Sequence, residues 1–166
     1  MPAPSTDGPL VGTSRPMLES MLDWHRMTLL NICAGLTAEQ LAMHAIPPSN
    51  LSLLGLVRHM AKVERVWFRE RLLGVALDPM YDPAKGKDAD FEDLDPVLAE
   101  EALARLSEEG RLADAAASGK SLDATFMLRG EEMSLRFVYL HMIGEYARHN
   151  GHADLLRQCI DGTTGR

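Results

Sequence analysis

Cysteine is scarce. Cys33 and Cys159 are the only two in 166 residues, and no Cys-x-x-Cys pair occurs. A thiolate-rich zinc site and a secreted disulfide framework are thereby excluded. The two thiols are expected as reduced core residues of a cytoplasmic protein, unless the first and last helices bring them together. Aromatics amount to only 5% and β-branched clusters are rare, so strand signals are weak. No apolar run approaches the roughly 20 residues of a membrane span. The start, MPAPSTDGPLVGTSRP, lacks a basic segment followed by an apolar one and does not read as a signal peptide. Its Pro, Gly and Ser content predicts a flexible lead-in over residues 1–14. Positive charge is also in deficit: the net charge is −7, the pI about 5.3, and Lys and Arg are scattered among acids. Phosphate backbones and anionic membranes would be repelled by such a surface, so neither is an expected partner. Gly-x-Ser-x-Gly elbows, glycine-rich phosphate loops and dinucleotide fingerprints are missing as well.

What remains is rich in Leu, Ala and Met, all strong helix formers. The length suits one domain with its own core. Four long helices are predicted, in an all-α fold of the four-helix-bundle type. The first spans about Met17 to Ala34, with Leu18, Met21, Leu22, Met27 or His25, Leu29 and Ile32 inward and Gly35 as its stop. Thr37 and Gln40 have capping-box spacing for a short turn. The second helix spans about Ser52 to Leu73, with a buried stripe of Leu53, Leu56, Met60, Val63 and Trp67. Residues 78–95 carry seven carboxylates with Pro79, Pro83 and Gly86 and read as a solvated connection, a substrate lid being the alternative. The third helix covers about Pro96 to Ser118. A polar loop at 119–133 leads to the last helix, Ser134 to Asp161.

That last helix carries the most informative pattern in the chain, His141-x-x-x-Glu145-x-x-x-His149-x-x-His152. At about 100° per residue the four side chains fall within roughly 80° of one another. Bundles build metal sites from such residues on facing helices. Glu145 and His149, one turn apart, form the best chelating pair. His59 is the natural third donor, because it sits beside an apolar stripe where an unpaired polar group is costly. Two imidazoles and a carboxylate suit Zn2+, Ni2+ or Fe2+, and three protein donors leave positions open. Spacing alone does not choose three ligands among His59, His141, Glu145, His149 and His152. The competing reading is a set of hydrogen-bonded core histidines. His141 and His152 can equally act as hydrogen-bond partners of a ligand or in proton transfer. His25 and His44 read as surface or packing residues.

Three segments carry a family resemblance: Leu22-Asp23-Trp24, the run from Leu53 to Phe68 (LLGLVRHM-x-x-VE-x-x-WF), and Glu145 to Arg157 (EYARHNGHADLLR). Together they resemble the DinB-like superfamily over about Met17 to Gly162, in particular its branch of small proteins labelled DUF664 or mini-circle proteins. The resemblance implies a four-helix bundle with one divalent metal in its core. It places one ligand at His59 and two more at Glu145 and His149. Many members have histidine where Glu145 stands, and glutamate at this position is similar to the mycothiol-dependent isomerase branch. His152 stands where many relatives have glutamine, which implies a supporting role. Characterised relatives use bacillithiol or mycothiol.

The activity so implied is a divalent-metal-dependent thiol S-transferase. A metal-bound thiolate, mycothiol in the first instance, would attack a small electrophile. Arg58, Arg148 or Arg157 would receive a carboxylate of the thiol. A homodimer is expected. The rival readings are a metal-dependent hydrolase on the same bundle and a non-enzymatic metal-binding or stress-related protein.

Overall fold

The computed structural model describes residues 8–165, so the expected lead-in lies outside the described residues over positions 1–7. The chain is mostly helical. Helix α1 (Ser14–Cys33) starts three residues earlier than the sequence suggests. Pro16 falls in its first turn, where a missing N–H costs nothing. The short α2 (Ala38–Leu41) carries the full capping box, with the Thr37 side chain accepting from the Gln40 amide and the Gln40 side chain accepting from the Thr37 amide. Helix α3 (Leu53–Glu64) opens on Ser52, whose hydroxyl accepts from the Gly55 amide at 3.0 Å.

Beyond Glu64 the same helix continues with π winding over Arg65–Leu72. Its wider i→i+5 turns place two consecutive aromatics, Trp67 and Phe68, in the core. Helix α5 (Ala99–Ala117) follows a 3-10 turn at Pro96–Leu98, and α6 (Leu135–Asp161) is the longest element. Ser134 caps the start of α6, and Gly162 ends it in a left-handed conformation, φ 77°. Helix α1 packs along α6, and α3 packs along α5. Leu22, Leu29, Leu53, Leu56, Met60, Val138, Met142, Tyr146 and Ala153 fill the space between them. No helix among the described residues is long and apolar enough to cross a membrane.

Three departures from the sequence reading matter. Residues 119–133, expected as a loop, include an antiparallel hairpin, β1 (Thr125–Leu128) and β2 (Glu131–Ser134), with Thr125 opposite Ser134. The fold is therefore not purely helical. Arg129 and Gly130 both have positive φ, 54° and 85°, as a two-residue hairpin turn requires. Phe126 and Leu128 point inward while Met127 is exposed, the period-2 pattern of a half-buried strand.

The second departure is the acidic connection. It is not a fully solvated loop but a strap, with a 3-10 turn at Pro83–Lys85 and the short α4 (Ala89–Glu92), whose Ala89 and Asp90 are buried. The buried Arg58 guanidinium holds it by donating to the Ala89 and Asp90 carbonyls, each at 3.1 Å. Arg58 also lies 4.1 Å over the Tyr81 ring, and the Tyr81 hydroxyl donates to the Arg58 carbonyl at 2.8 Å. Third, both cysteines are free, but only Cys33 is buried; Cys159 is exposed.

Candidate metal centre

His59 comes from α3, and Glu145 and His149 come from one face of α6. The structure brings one donor atom from each within 4.8 Å of the others. The His59 and His149 rings stand T-shaped at 4.8 Å. His149 Nε2 is 3.5 Å from Glu145 Oε2, and His141 Nε2 is 3.7 Å from Glu145 Oε1. Both distances exceed a good hydrogen bond. Two ligands about 2.1 Å from a common tetrahedral ion stand about 3.4 Å apart, close to the His149–Glu145 separation.

The electrostatics suit a cation. Burial, together with the neighbouring His59 imidazole, pushes His149 down to about 4, and the Glu145 carboxylate offsets this only in part. The ring is therefore neutral at neutral pH, the form that binds metals. His149 Nδ1 is buried and has no hydrogen-bond partner among the described residues. His59 uses its Nδ1 to meet Asp90 Oδ2 of the strap at 2.8 Å, which leaves Nε2 for the centre. Two imidazoles and a carboxylate that lacks a hydrogen-bonded cation fit a divalent ion of the Zn2+, Ni2+ or Fe2+ type.

The flanking histidines differ in setting. His141 packs against Trp67 and Phe137, with centroids at 4.2 and 5.9 Å, and burial lowers its pKa more than Glu145 raises it. The His152 ring is 5.4 Å from His149, and its Nδ1 is buried without a partner among the described residues. His25 meets Asn150 and the edge of Trp24, whereas His44 is exposed. The three arginines singled out in the sequence are not brought together. Arg58 is fastened to the strap, and Arg157 donates to the Ile32 and Ala34 carbonyls at 2.6 and 2.9 Å, tying α6 to the end of α1. Arg148 is exposed next to His149.

Two polar groupings escaped the sequence reading. Asp90 is one; the only hint was that Tyr81 and Phe91, the two aromatics of an otherwise polar run, both pack back on α3. The other is a buried ion pair next to the centre. Arg26 donates Nε and Nη2 to the two oxygens of Glu64 at 2.7 and 2.9 Å, and the Tyr146 hydroxyl adds a third bond at 2.9 Å. Asp23 and Asp114 accept from Arg26 Nη1 on its outer side.

A two-His, one-Glu cluster on facing helices therefore stands beside a separate, closed ion pair. Residues 17–162 match the family model described as mycothiol-S-transferase. No curated protein matches the chain. The matched span begins in the first turn of α1, ends at the cap of α6 and includes every residue of the cluster, so the chain belongs to the mycothiol S-transferase family, a DinB-like family.

Proposed function

We propose that this protein is a divalent-metal-dependent S-transferase that joins mycothiol to a small electrophile, on a four-helix, DinB-like bundle. The observation that carries the proposal is the convergence of His59, Glu145 and His149 with neither imidazole hydrogen-bonded to the carboxylate. These three residues would hold the ion, with Zn2+ the first choice and Ni2+ or Fe2+ the alternatives. When bound, the cation supplies the positive charge that lowers the pKa of a thiol at neutral pH.

The remaining steps belong to the protein. Asp90 keeps the His59 proton on Nδ1. Trp67 and Phe137 pack beside His141, giving an apolar edge on which a small electrophile can lie. His141, uncharged at neutral pH, receives the thiol proton at Nε2 and returns it to the departing group or to the oxygen of an opened epoxide. A sulfur–carbon bond forms as the bond to that group breaks, or, with an enone, as the carbon–carbon π bond breaks and the α-carbon takes the proton, so charge and protons balance. Arg148 is exposed beside His149 and meets a polar group of the thiol, while His152 supports His149 from behind.

The test is product analysis by mass spectrometry with mycothiol and a panel of epoxides, alkyl halides and enones. A thioether that requires thiol, metal and an intact His149 supports the reading. Electrophile consumed equally well without thiol would make water the nucleophile and the protein a hydrolase. No conversion by metal-loaded protein across the panel would contradict transfer.

A further inference from the structure

The strap is fastened along a single stripe of α3. Gly55, Arg58, His59 and Lys62 stand at the i, i+3, i+4 and i+7 positions of one helical face, and the strap meets every one of them. A Cβ on Gly55 would come within 3.4 Å of the Phe91 Cα. Arg58 donates to the carbonyls of Ala89 and Asp90. The Phe91 ring stacks on the His59 ring, with centroids 4.6 Å apart and planes at 28°. The Lys62 ammonium lies 3.4 Å from Asp90 Oδ1, while Oδ2 faces His59 Nδ1. One face of the His59 imidazole and its outer nitrogen are thus both set by Asp90 and Phe91, of which Asp90 lies thirty-one positions away in the chain.

We propose that Asp90 is a positioning residue for His59, and that docking of residues 89–92 and binding of a divalent cation at His59, Glu145 and His149 are one coupled equilibrium. The inference rests on the metal-centre reading above and deepens it. An imidazole has two tautomers, and a carboxylate 2.8 Å from Nδ1 selects the one that presents its Nε2 lone pair to the centre. A strap that lifts off removes the carboxylate and the stacked Phe91 together, so the ring loses its tautomer and its orientation at once. Linkage then works in both directions: whatever factor docking adds to cation affinity, the cation adds to docking. The coupled segment is easy to watch, because the amides of Phe91 and Glu92 donate to the Asp88 carbonyl, and that of Asp93 to the Ala89 carbonyl.

Three readouts test this on the full chain. Zn2+ affinity is measured by chelator competition in wild type, Asp90→Asn, Asp90→Ala and His149→Ala. Amide exchange over residues 88–93 is followed with and without Zn2+. Imidazole nitrogen shifts of His59 are read in the metal-free protein. Asp90→Ala is expected to weaken Zn2+ binding about 10- to 100-fold. Asp90→Asn, which keeps an acceptor oxygen and nearly the same shape, should lose less. Zn2+ should slow exchange at 91–93 in wild type and leave His149→Ala unchanged, and His59 should shift from the Nδ1–H tautomer to a mixture in Asp90→Ala. Wild-type affinity in both folded Asp90 variants, or Zn2+ binding that leaves strap exchange untouched, overturns the coupling while the metal site stands. If wild type and His149→Ala alike bind no Zn2+, the metal-centre reading fails and the coupling falls with it.

Discussion

Glu145 and Tyr146 are consecutive residues of α6, yet they enter two polar clusters of opposite character. Tyr146 joins Glu64 and Arg26, where each oxygen of a carboxylate with 0% side-chain exposure meets a donor at 2.9 Å or less. Glu145 keeps 28% of its side chain exposed and stands between two imidazoles that come no closer than 3.5 Å. The first cluster is closed, since the protein neutralises its own charge. The second gathers donors without neutralising them, which suits a cation from outside. The contrast separates a closed ion pair from a candidate site by which charges already have partners.

The largest effect on stability belongs to the closed cluster. Glu64→Ala leaves the Arg26 guanidinium buried without its main partner and should cost about 3–5 kcal/mol in urea unfolding. Replacing Arg26 by Met and Glu64 by Leu together should cost clearly less, because no orphaned charge remains. A double variant as unstable as Glu64→Ala would break the interpretation. Glu145→Gln should behave in the opposite way. Metal-free, it should unfold within about 1 kcal/mol of wild type, since its carboxylate is half-exposed and weakly partnered.

Ligand binding sharpens the contrast further. Zn2+ at about 100 times its dissociation constant should stabilise wild type by about 2.7 kcal/mol. Glu145→Gln should lose most of that gain, which thermal unfolding at fixed metal concentration will show. Stabilisation retained in full by Glu145→Gln would place the ion elsewhere.

A smaller effect concerns alkaline pH. Burial, reinforced by the Glu64 charge, holds the Tyr146 phenol well above its usual range, and burial pushes Tyr81 and Tyr139 up to about 12. These groups bind their protons more tightly in the folded than in the unfolded chain. Their contribution is therefore fully present below about pH 10 and is lost as pH rises beyond it. Absorbance titration should show little tyrosinate at pH 10 in the native protein, with ionisation accompanying unfolding. Tyr146→Phe should reduce the alkaline slope and cost about 1 kcal/mol at neutral pH.

Much of the candidate centre was legible because its pattern is local. Glu145 and His149 are one helical turn apart, and His59 sits beside an apolar stripe, so periodicity alone placed all three on inward faces. The bounds of α6 were equally readable, Ser134 to Asp161 against the observed Leu135–Asp161. Long-range partners were not. Glu64 borders the buried stripe, four residues after Met60 and three before Trp67, but nothing nearby in the chain points to Arg26, 38 residues earlier. Asp90 is one of seven acids in its segment, and only tertiary contact with Arg58 and His59 sets it apart. The π winding after Glu64 leaves the same residue composition as an α-helix. The hairpin strands have four residues each, too short for alternation to register, and their Arg129-Gly130 turn lacks the usual Asn or Asp.

The most direct test of the central claim is elemental analysis of the purified, untagged protein after exposure to Zn2+ and removal of the excess. Wild type should be compared with His59→Ala, His149→Ala and His44→Ala. About one equivalent of ion is expected in wild type and in His44→Ala, and a small fraction of that in the other two. Equal metal content in all four proteins, or none in any, would contradict a centre built from His59, Glu145 and His149.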